Sequence, residues 1–372
     1  MRNDPAAELI VLSHLRWTFV WQRPQHIISR LARGRRTWFV EEPVAGPVGS
    51  PRLHREDHGP VTRVWLEVPG TDGHVGFGDR RAARYGELLA GLVGASSNRA
   101  CWLYTPMALP LLDALNPAVV AYDVMDDLAS FDGAPEELVL RQRQALRSAH
   151  IVFTGGRSIH RGVVRHRRDG THLFPSGVEP EHFRAANDLR CPNPRPVAGY
   201  VGVIDERIDR PLLGQLADRL PDWDIRIVGP LSKIDHRSLP TAPNLEYPGP
   251  ARYEELPEVL AGFDVALMPF ALNRATRSIS PTKTLEYLAA GLPVVSTPVP
   301  DVVADHAAWV DVVDDADGFA AACRRVLAEP ASSRQETVER VLSTRHWDAI
   351  AAQMDELLAG ASAEALRRRV LA

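Results

Sequence analysis

Three cysteines in 372 residues, Cys101, Cys191 and Cys323, are too few and too far apart for a disulfide framework or a zinc site. Their scatter fits a reducing cytoplasm, where this chain is expected to work. No uninterrupted apolar run of about 18 residues is present, so no membrane span is expected. The first residues, Met1-Arg2-Asn3-Asp4-Pro5, lack the apolar core of a signal peptide. An excess of positive charge is missing as well: the formal charge is -4, which gives no global attraction to nucleic acid. What is present is the balance of a soluble globular protein, 45% apolar and 24% charged. The length exceeds one ordinary core and predicts two domains.

Along the chain, short apolar runs alternate with helical patterns, the signature of parallel α/β architecture. Leu9 to Leu12, Thr37 to Val40, Ala100 to Tyr104, Val119 to Asp123 and Ile151 to Thr154 read as strands, with a helix over Arg23 to Ala32. The prolines of Cys191-Pro192-Asn193-Pro194-Arg195-Pro196 fit neither a helix interior nor a central strand, so this stretch reads as the interdomain linker. A second series follows it, with strands at Val197 to Gly202, Asp224 to Gly229, Leu245 to Tyr247 and Asp264 to Pro269. The expected division is therefore 1–190 and 191–343, with a C-terminal segment 344–372.

The richest stretch runs from Ser280 to Thr297. Ser280 is placed to cap a helix, Pro281 fits its first position, and Lys283 and Glu286, three apart, share a face. A lysine beside a helix N-terminus suits a phosphate. Gly291 and Pro293 end the helix, and Val294-Val295 begins a buried strand. Phosphate at the start and a glutamate one turn on suit a nucleotide.

Gly199-Tyr200-Val201-Gly202, Ile227-Val228-Gly229-Pro230, Phe263 to Phe270 and Leu285 to Val295 stand in the order and spacing of the donor domain of GT-B glycosyltransferases. The chain resembles glycosyltransferase family four, also called group 1, over roughly residues 9 to 350. Its Ser13 to His26 segment is similar to a bacterial subgroup that includes a teichuronic acid transferase, and more loosely to a xanthan glucuronosyltransferase. The resemblance implies two Rossmann-like α/β domains whose parallel sheets face a central cleft. The N-terminal domain would hold the acceptor and the C-terminal one a nucleotide sugar, with residues 344–372 as a helical segment packing back toward the first domain.

Carried over by position, Glu286 would bind the ribose hydroxyls, and Thr282, Lys283 and Thr284 the diphosphate. Arg207 takes about the place of the family's basic residue, although its charged stretch also suits a solvated loop, and Lys233 is a weaker candidate near the same strand edge. The family's first glutamate is absent, since eight positions before Glu286 stands Ser278. Arg277, Ser278 and Ser280 are offered in its place, Arg277 suiting an anionic sugar such as a uronic acid. Tyr253 and Pro250 are candidates to meet the base, although Tyr253 equally suits plain packing. UDP is the expected leaving group.

On the acceptor side, Asp126 and Asp127 follow a strand, where a base for the acceptor hydroxyl would sit; Asp127 also suits a helix cap. Trp21, Arg23 and His26 occupy the loop and helix start after the first strand, and either Glu41 or Glu42 is expected to line the cleft. No cofactor and no metal are expected, only the nucleotide sugar as co-substrate. Two arginine-rich stretches, Arg30 to Arg36 and Arg157 to Arg168, offer peripheral contact with anionic lipid. The overall expectation is a glycosyltransferase, with a sugar-nucleotide epimerase or a non-catalytic sugar-nucleotide-binding protein as rivals.

Overall fold

The computed structural model describes residues 8–71, 75–130, 134–329 and 335–371; the extreme N-terminus read above as lacking a signal lies outside them. In the first domain the strands are β1 (Glu8–Ser13), β2 (Arg36–Glu41), β3 (Val44–Gly46), β4 (Arg52–His58), β5 (Val61–Pro69), β6 (Arg99–Leu103), β7 (Val119–Val124), β8 (Ile151–Thr154) and β9 (Thr171–Leu173). They form one sheet in the order β3-β5-β2-β1-β6-β7-β8-β9, parallel throughout except for β4, which pairs antiparallel with β5 at the margin. Its helices are α1 (Arg23–Leu31), α2 (Tyr85–Val93), α3 (Leu111–Leu115), α4 (Glu136–Ser148) and α5 (Arg157–Val164).

Strand β1 is apolar without alternation because both of its faces are covered. Leu9 and Val11 pack in the core that holds Ile27, Ile28 and Trp347, while Ile10 and Leu12 pack in the core with Tyr85, Leu89 and Leu111. The hairpin β4–β5 escapes an apolar-run reading. Its outer strand, Arg-Leu-His-Arg-Glu-Asp-His, is mostly polar and sends only Leu53 against the core, while β5 contributes its alternating apolar residues.

After α6 (Pro180–Leu189), the second domain contains β10 (Val197–Val201), β11 (Asp224–Val228), β12 (Leu245–Gly249), β13 (Val265–Met268), β14 (Val294–Ser296) and β15 (Val310–Val312). This sheet is parallel, in the order β12-β11-β10-β13-β14-β15. Its helices are α7 (Arg210–Arg219), α8 (Leu256–Ala261), α9 (Lys283–Ala289), α10 (Pro300–His306), α11 (Ala316–Ala328) and α12 (Gln335–Thr344), and the chain closes with α13 (Trp347–Leu371).

The crossing between domains lies earlier than the proline-rich stretch. Val178 and, from α6, Phe183 and Ala186 already belong to the second domain's core, so residues 191–196 lead from one packed element of that domain to the next. The chain crosses at 174–178 and returns at 345–347. The two passages hydrogen-bond side by side: Val178 N donates to Arg345 O at 2.9 Å and Trp347 N to Val178 O at 3.2 Å. Helix α13 then lies on α1, where Arg30 pairs with Asp348 and Arg35 with Asp355.

A second junction joins α10 to the start of α5. Asp301, 2% exposed, accepts from Ser158 N at 3.0 Å and from its hydroxyl. A carboxylate of one domain thus caps a helix of the other, where the N-cap residue, Gly156, has no side chain to do so.

The two glutamates at the end of β2 are structural. Glu41 is fully buried and accepts from Trp17 N at 2.7 Å and Arg63 Nε at 2.8 Å, with Arg16 Nη1 at 3.2 Å. Glu42 is also buried, and burial pushes its carboxyl up to about 7 against a smaller opposing pull from Arg16. A carboxyl raised above its ordinary 4.5 stabilises the fold fully below that pH and loses the contribution as pH rises through about 7. Denaturation midpoints measured from pH 5 to 8.5 should therefore fall more steeply for the wild type than for Glu42→Gln. Parallel curves would show that Glu42 does not carry this dependence.

Candidate functional site

The carboxyl ends of both sheets open on the space between the domains, the edge where parallel α/β sheets bind ligands. On the second domain's side the backbone is shaped by Gly202 after β10 and Gly229 after β11, at φ +149° and +153°. A Cβ at Gly229 would fall 1.9 Å from Gly202 O, and one at Gly202 would fall 2.0 Å from Lys283 Cε and 2.5 Å from its Nζ. The glycines let two strand-end turns and the Lys283 side chain nest together.

Lys283 opens α9, not Ser280. Thr282 stands at the N-cap with helical φ −58° and ψ −35° and no side-chain capping bond, and Ser280 is held instead through its carbonyl, which accepts from Ser176 Oγ at 2.9 Å. Pro281 thus lies outside the helix, whose seven residues make a short dipole. Lys283 and Glu286 do share a face, both half-buried; Thr284 points the other way, fully buried, its hydroxyl 3.3 Å from Met268 Sδ. Helical spacing explains the split, and only the backbone of Thr284 remains available to a diphosphate.

Burial is the leading influence on both charges of the pair. It lowers the Lys283 ammonium's pKa, which Glu286 partly restores while Arg207 lowers it further. It raises the Glu286 carboxyl, offset by Lys283 and by the Thr282 hydroxyl, with Glu179 adding to the rise. A carboxylate and an ammonium are thus held near each other at the strand ends.

Arg207 sits in the turn after β10, which is fixed from two sides by the Ile204–Leu231 and Ile208–Phe270 bridges. Sequence reasoning missed what holds its guanidinium. Asp205, 6% exposed, accepts from Arg207 N at 2.9 Å, from Nε at 3.0 Å and from Nη2 at 2.7 Å. An Asp-x-Arg spacing in a turn after a strand is the signal that was available, since an Asp side chain in such a turn folds back on the amide two residues on. Lys233 lies exposed in the neighbouring turn at φ +61°. Lys233 and Lys283 are also the chain's only lysines, every other basic chain being arginine or histidine.

Across the opening, Asp126 faces this cluster. Burial raises its carboxyl, and the charges acting on it are, in order, Arg207, Asp205, Arg23 and Asp127. Asp127 turns aside, accepting from Ser130 Oγ at 2.5 Å at the head of a 3-10 turn, the capping alternative for that residue.

The acceptor-side trio is engaged within the protein. Arg23, 3% exposed, meets Asp123 through Nε and Nη2, both at 3.0 Å, and Phe174 O at 2.8 Å. His26, 1% exposed, stacks on Trp347 at 5.0 Å; burial drives its pKa down to about 3 despite the opposing pull of Glu179 and so keeps the imidazole neutral. Trp21 Nε1 donates to His26 Nδ1 at 3.2 Å, and its ring lies 5.8 Å from Tyr253. Tyr253 in turn stacks on His182 at 4.4 Å and donates to Glu179 Oε2 at 2.5 Å, so its ring face is already covered. These side chains join the domains around the chain crossing. Pro250 and Arg277 are exposed and Ser278 is half-buried, Arg277 and Ser278 lying in a 3-10 turn against α5.

Residues 196–329 match the family of glycosyl transferases group 1. The putative teichuronic acid biosynthesis glycosyltransferase TuaH of Bacillus subtilis (strain 168) is 29% identical over 294 residues, 72% of this chain and 74% of that protein. Among solved structures, the sucrose-phosphate synthase of Thermosynechococcus elongatus shares the fold at TM-score 0.71 and 17% identity, over 95% of this chain and 98% of that one. Anabaena HepE, solved with UDP and glucose, does so at TM-score 0.70 and 13% identity, over 94% and 99%.

The two glycines separate binding from folding. Gly202→Ala should fold but lose nucleoside diphosphate affinity, since its Cβ displaces the flexible end of Lys283, whereas Gly229→Ala meets backbone and should lower the melting temperature sharply. Each also carries strain of about 1–3 kcal/mol from positive φ. Calorimetry and thermal melts check this; unchanged affinity in Gly202→Ala would remove Lys283 from the binding site.

Proposed function

We propose that this chain, a glycosyltransferase of the GT-B fold whose residues 196–329 match the group 1 family, moves a sugar from a UDP-sugar to a hydroxyl-bearing acceptor such as a glycan, a lipid-linked sugar or a small natural product. The observation that carries this reading is the meeting of Lys283, Glu286 and Arg207 around Gly202, opposite Asp126 of the other domain. In this reading Glu286 binds the ribose diol. Lys283 and Arg207 neutralise the departing diphosphate in place of a metal ion, with Lys233 and the amides of 282–284 beside them. The UDP bound to HepE supports the choice of base. Ser278 takes the sequence position of the family's absent first glutamate, and Arg277 beside it suits a uronic acid, in keeping with the name of the Bacillus relative.

Asp126 is proposed to take the acceptor proton. A carboxyl raised by burial accepts a proton more readily, and Arg207 holds back that rise. An epimerase would need the nucleotide half of the site and no acceptor base; the placement of Asp126 opposite Arg207 favours transfer.

Titrating UDP, GDP and dTDP into wild type, Lys283→Ala and Glu286→Ala should show UDP binding best and each substitution weakening it about tenfold or more. Asp126→Asn should keep UDP binding and lower turnover by about 10²-fold or more. UDP binding that is absent, or indifferent to Lys283 and Glu286, overturns the donor site; full turnover in Asp126→Asn overturns the base alone.

A further inference from the structure

The fold sorts the chain's arginines into spent and unspent. In the first arginine-rich stretch Arg30 pairs with Glu179 and Asp348, Arg35 with Asp355, and Arg36 lies over Trp38 at 4.4 Å. In the second, Arg157 pairs with Asp305 across the domains, and Arg167 is consumed by carbonyls: Leu146 at 2.9 Å, Ala149 at 2.5 Å, His150 at 3.0 Å and Asp169 at 2.8 Å. Arg167 thereby closes the C-terminal end of α4, a structural duty.

Arg161 donates to Ser158 Oγ at 2.7 Å, and of the others in this stretch Arg168 and His166 are brought by the fold to the same place as Arg147, from the last turn of α4. The three line a groove of about 950 Å³ between the end of α4, the 166–170 turn and the last turns of α13. Of the two carboxylates on its rim, Glu364 pairs with Arg368 and Asp169 lies beside Arg167. Among the described residues neither Arg147 nor Arg168 forms an ion pair. Small residues, Ala118, Gly170, Ala361 and Ala365, leave the groove open. A second depression of about 420 Å³ shares Arg147 and adds Arg143.

Gathering cations in one concavity costs repulsion, and the chain as a whole is negative, so composition alone does not produce the cluster. A bound anion offsets that cost, and guanidinium groups suit the planar, bidentate recognition of phosphate oxygens. We propose that this groove is a second binding site, for a phosphate mono- or diester, separate from the cleft. Ala118, His150 and Gly170 precede β7, β8 and β9, so the groove lies at the amino ends of strands whose carboxyl ends face the cleft. Occupancy there leaves the cleft open.

A phosphate reaching this groove comes from a soluble compound or from a lipid headgroup, and two probes separate these. Inorganic pyrophosphate is titrated by calorimetry, and vesicles of phosphatidylglycerol are compared with phosphatidylcholine by flotation. Both are applied to Lys283→Ala, which weakens the cleft's own phosphate binding, and to the same protein carrying R147A and R168A, so that only the difference between the two reports on the groove. In one assay or the other, the Lys283→Ala protein should bind, and the two arginine substitutions should weaken that binding at least about tenfold. Pyrophosphate binding without flotation assigns a soluble ligand, and flotation on phosphatidylglycerol alone assigns a headgroup. The proposal is overturned if Lys283→Ala binds neither probe, or if R147A and R168A change nothing while the melting temperature stays the same.

Discussion

Everything functional in this molecule depends on two strands of chain passing between the domains side by side. The outgoing passage at 174–178 and the returning one at 345–347 hydrogen-bond to each other through Val178, Arg345 and Trp347. Gly177 is needed there because a Cβ would lie 2.8 Å from Arg345 O and 2.9 Å from the Trp347 ring. Around this paired crossing gather His26, Glu179, His182 and Tyr253, and beyond it Asp301 of one domain caps α5 of the other. The cleft is the space these contacts leave, so Asp126 faces Arg207 only because the crossing sets the two sheets edge to edge.

The electrostatics of the cleft follow from that placement. Arg207 is shared between Asp205, which fixes its direction, and Asp126, which feels its charge from the opposite wall. Lys283 and Glu286 are balanced in the same way, each offsetting the other's desolvation. An arriving dianion meets side chains already oriented by internal carboxylates, which lowers the ordering cost of binding.

Local signals were legible in the sequence, and those that depend on distant partners were not. The apolar runs of β1, β2, β6, β7 and β8 and the Lys283/Glu286 face could be read because burial and helical spacing repeat within a few residues. The polar edge strand β4 could not, since it adds only Leu53 to the core and its partner β5 supplies most of the apolar side. The proline-rich stretch 191–196 looked like a linker, but the real crossing at 174–178 carries no such mark; it is defined by contacts with residues about 170 positions away. Arg23 and His26 had the chemistry of a site, and Asp123 and Trp347, remote in sequence, turned them into structure. Asp205 went unread although its pattern was local.

The two lysines have a practical consequence. Most proteins of this size scatter side-chain amines over their surface, whereas here an amine-directed reagent has two side-chain targets, one of them beside Gly202 and Glu286. Burial lowers that amine's pKa, partly restored by Glu286, so it gives up its proton more readily than an ordinary lysine. Reductive methylation with isotopic formaldehyde would therefore write its dimethyl-lysine signals almost entirely into the cleft region, giving a protein of 372 residues a sparse magnetic-resonance reporter of its own ligand.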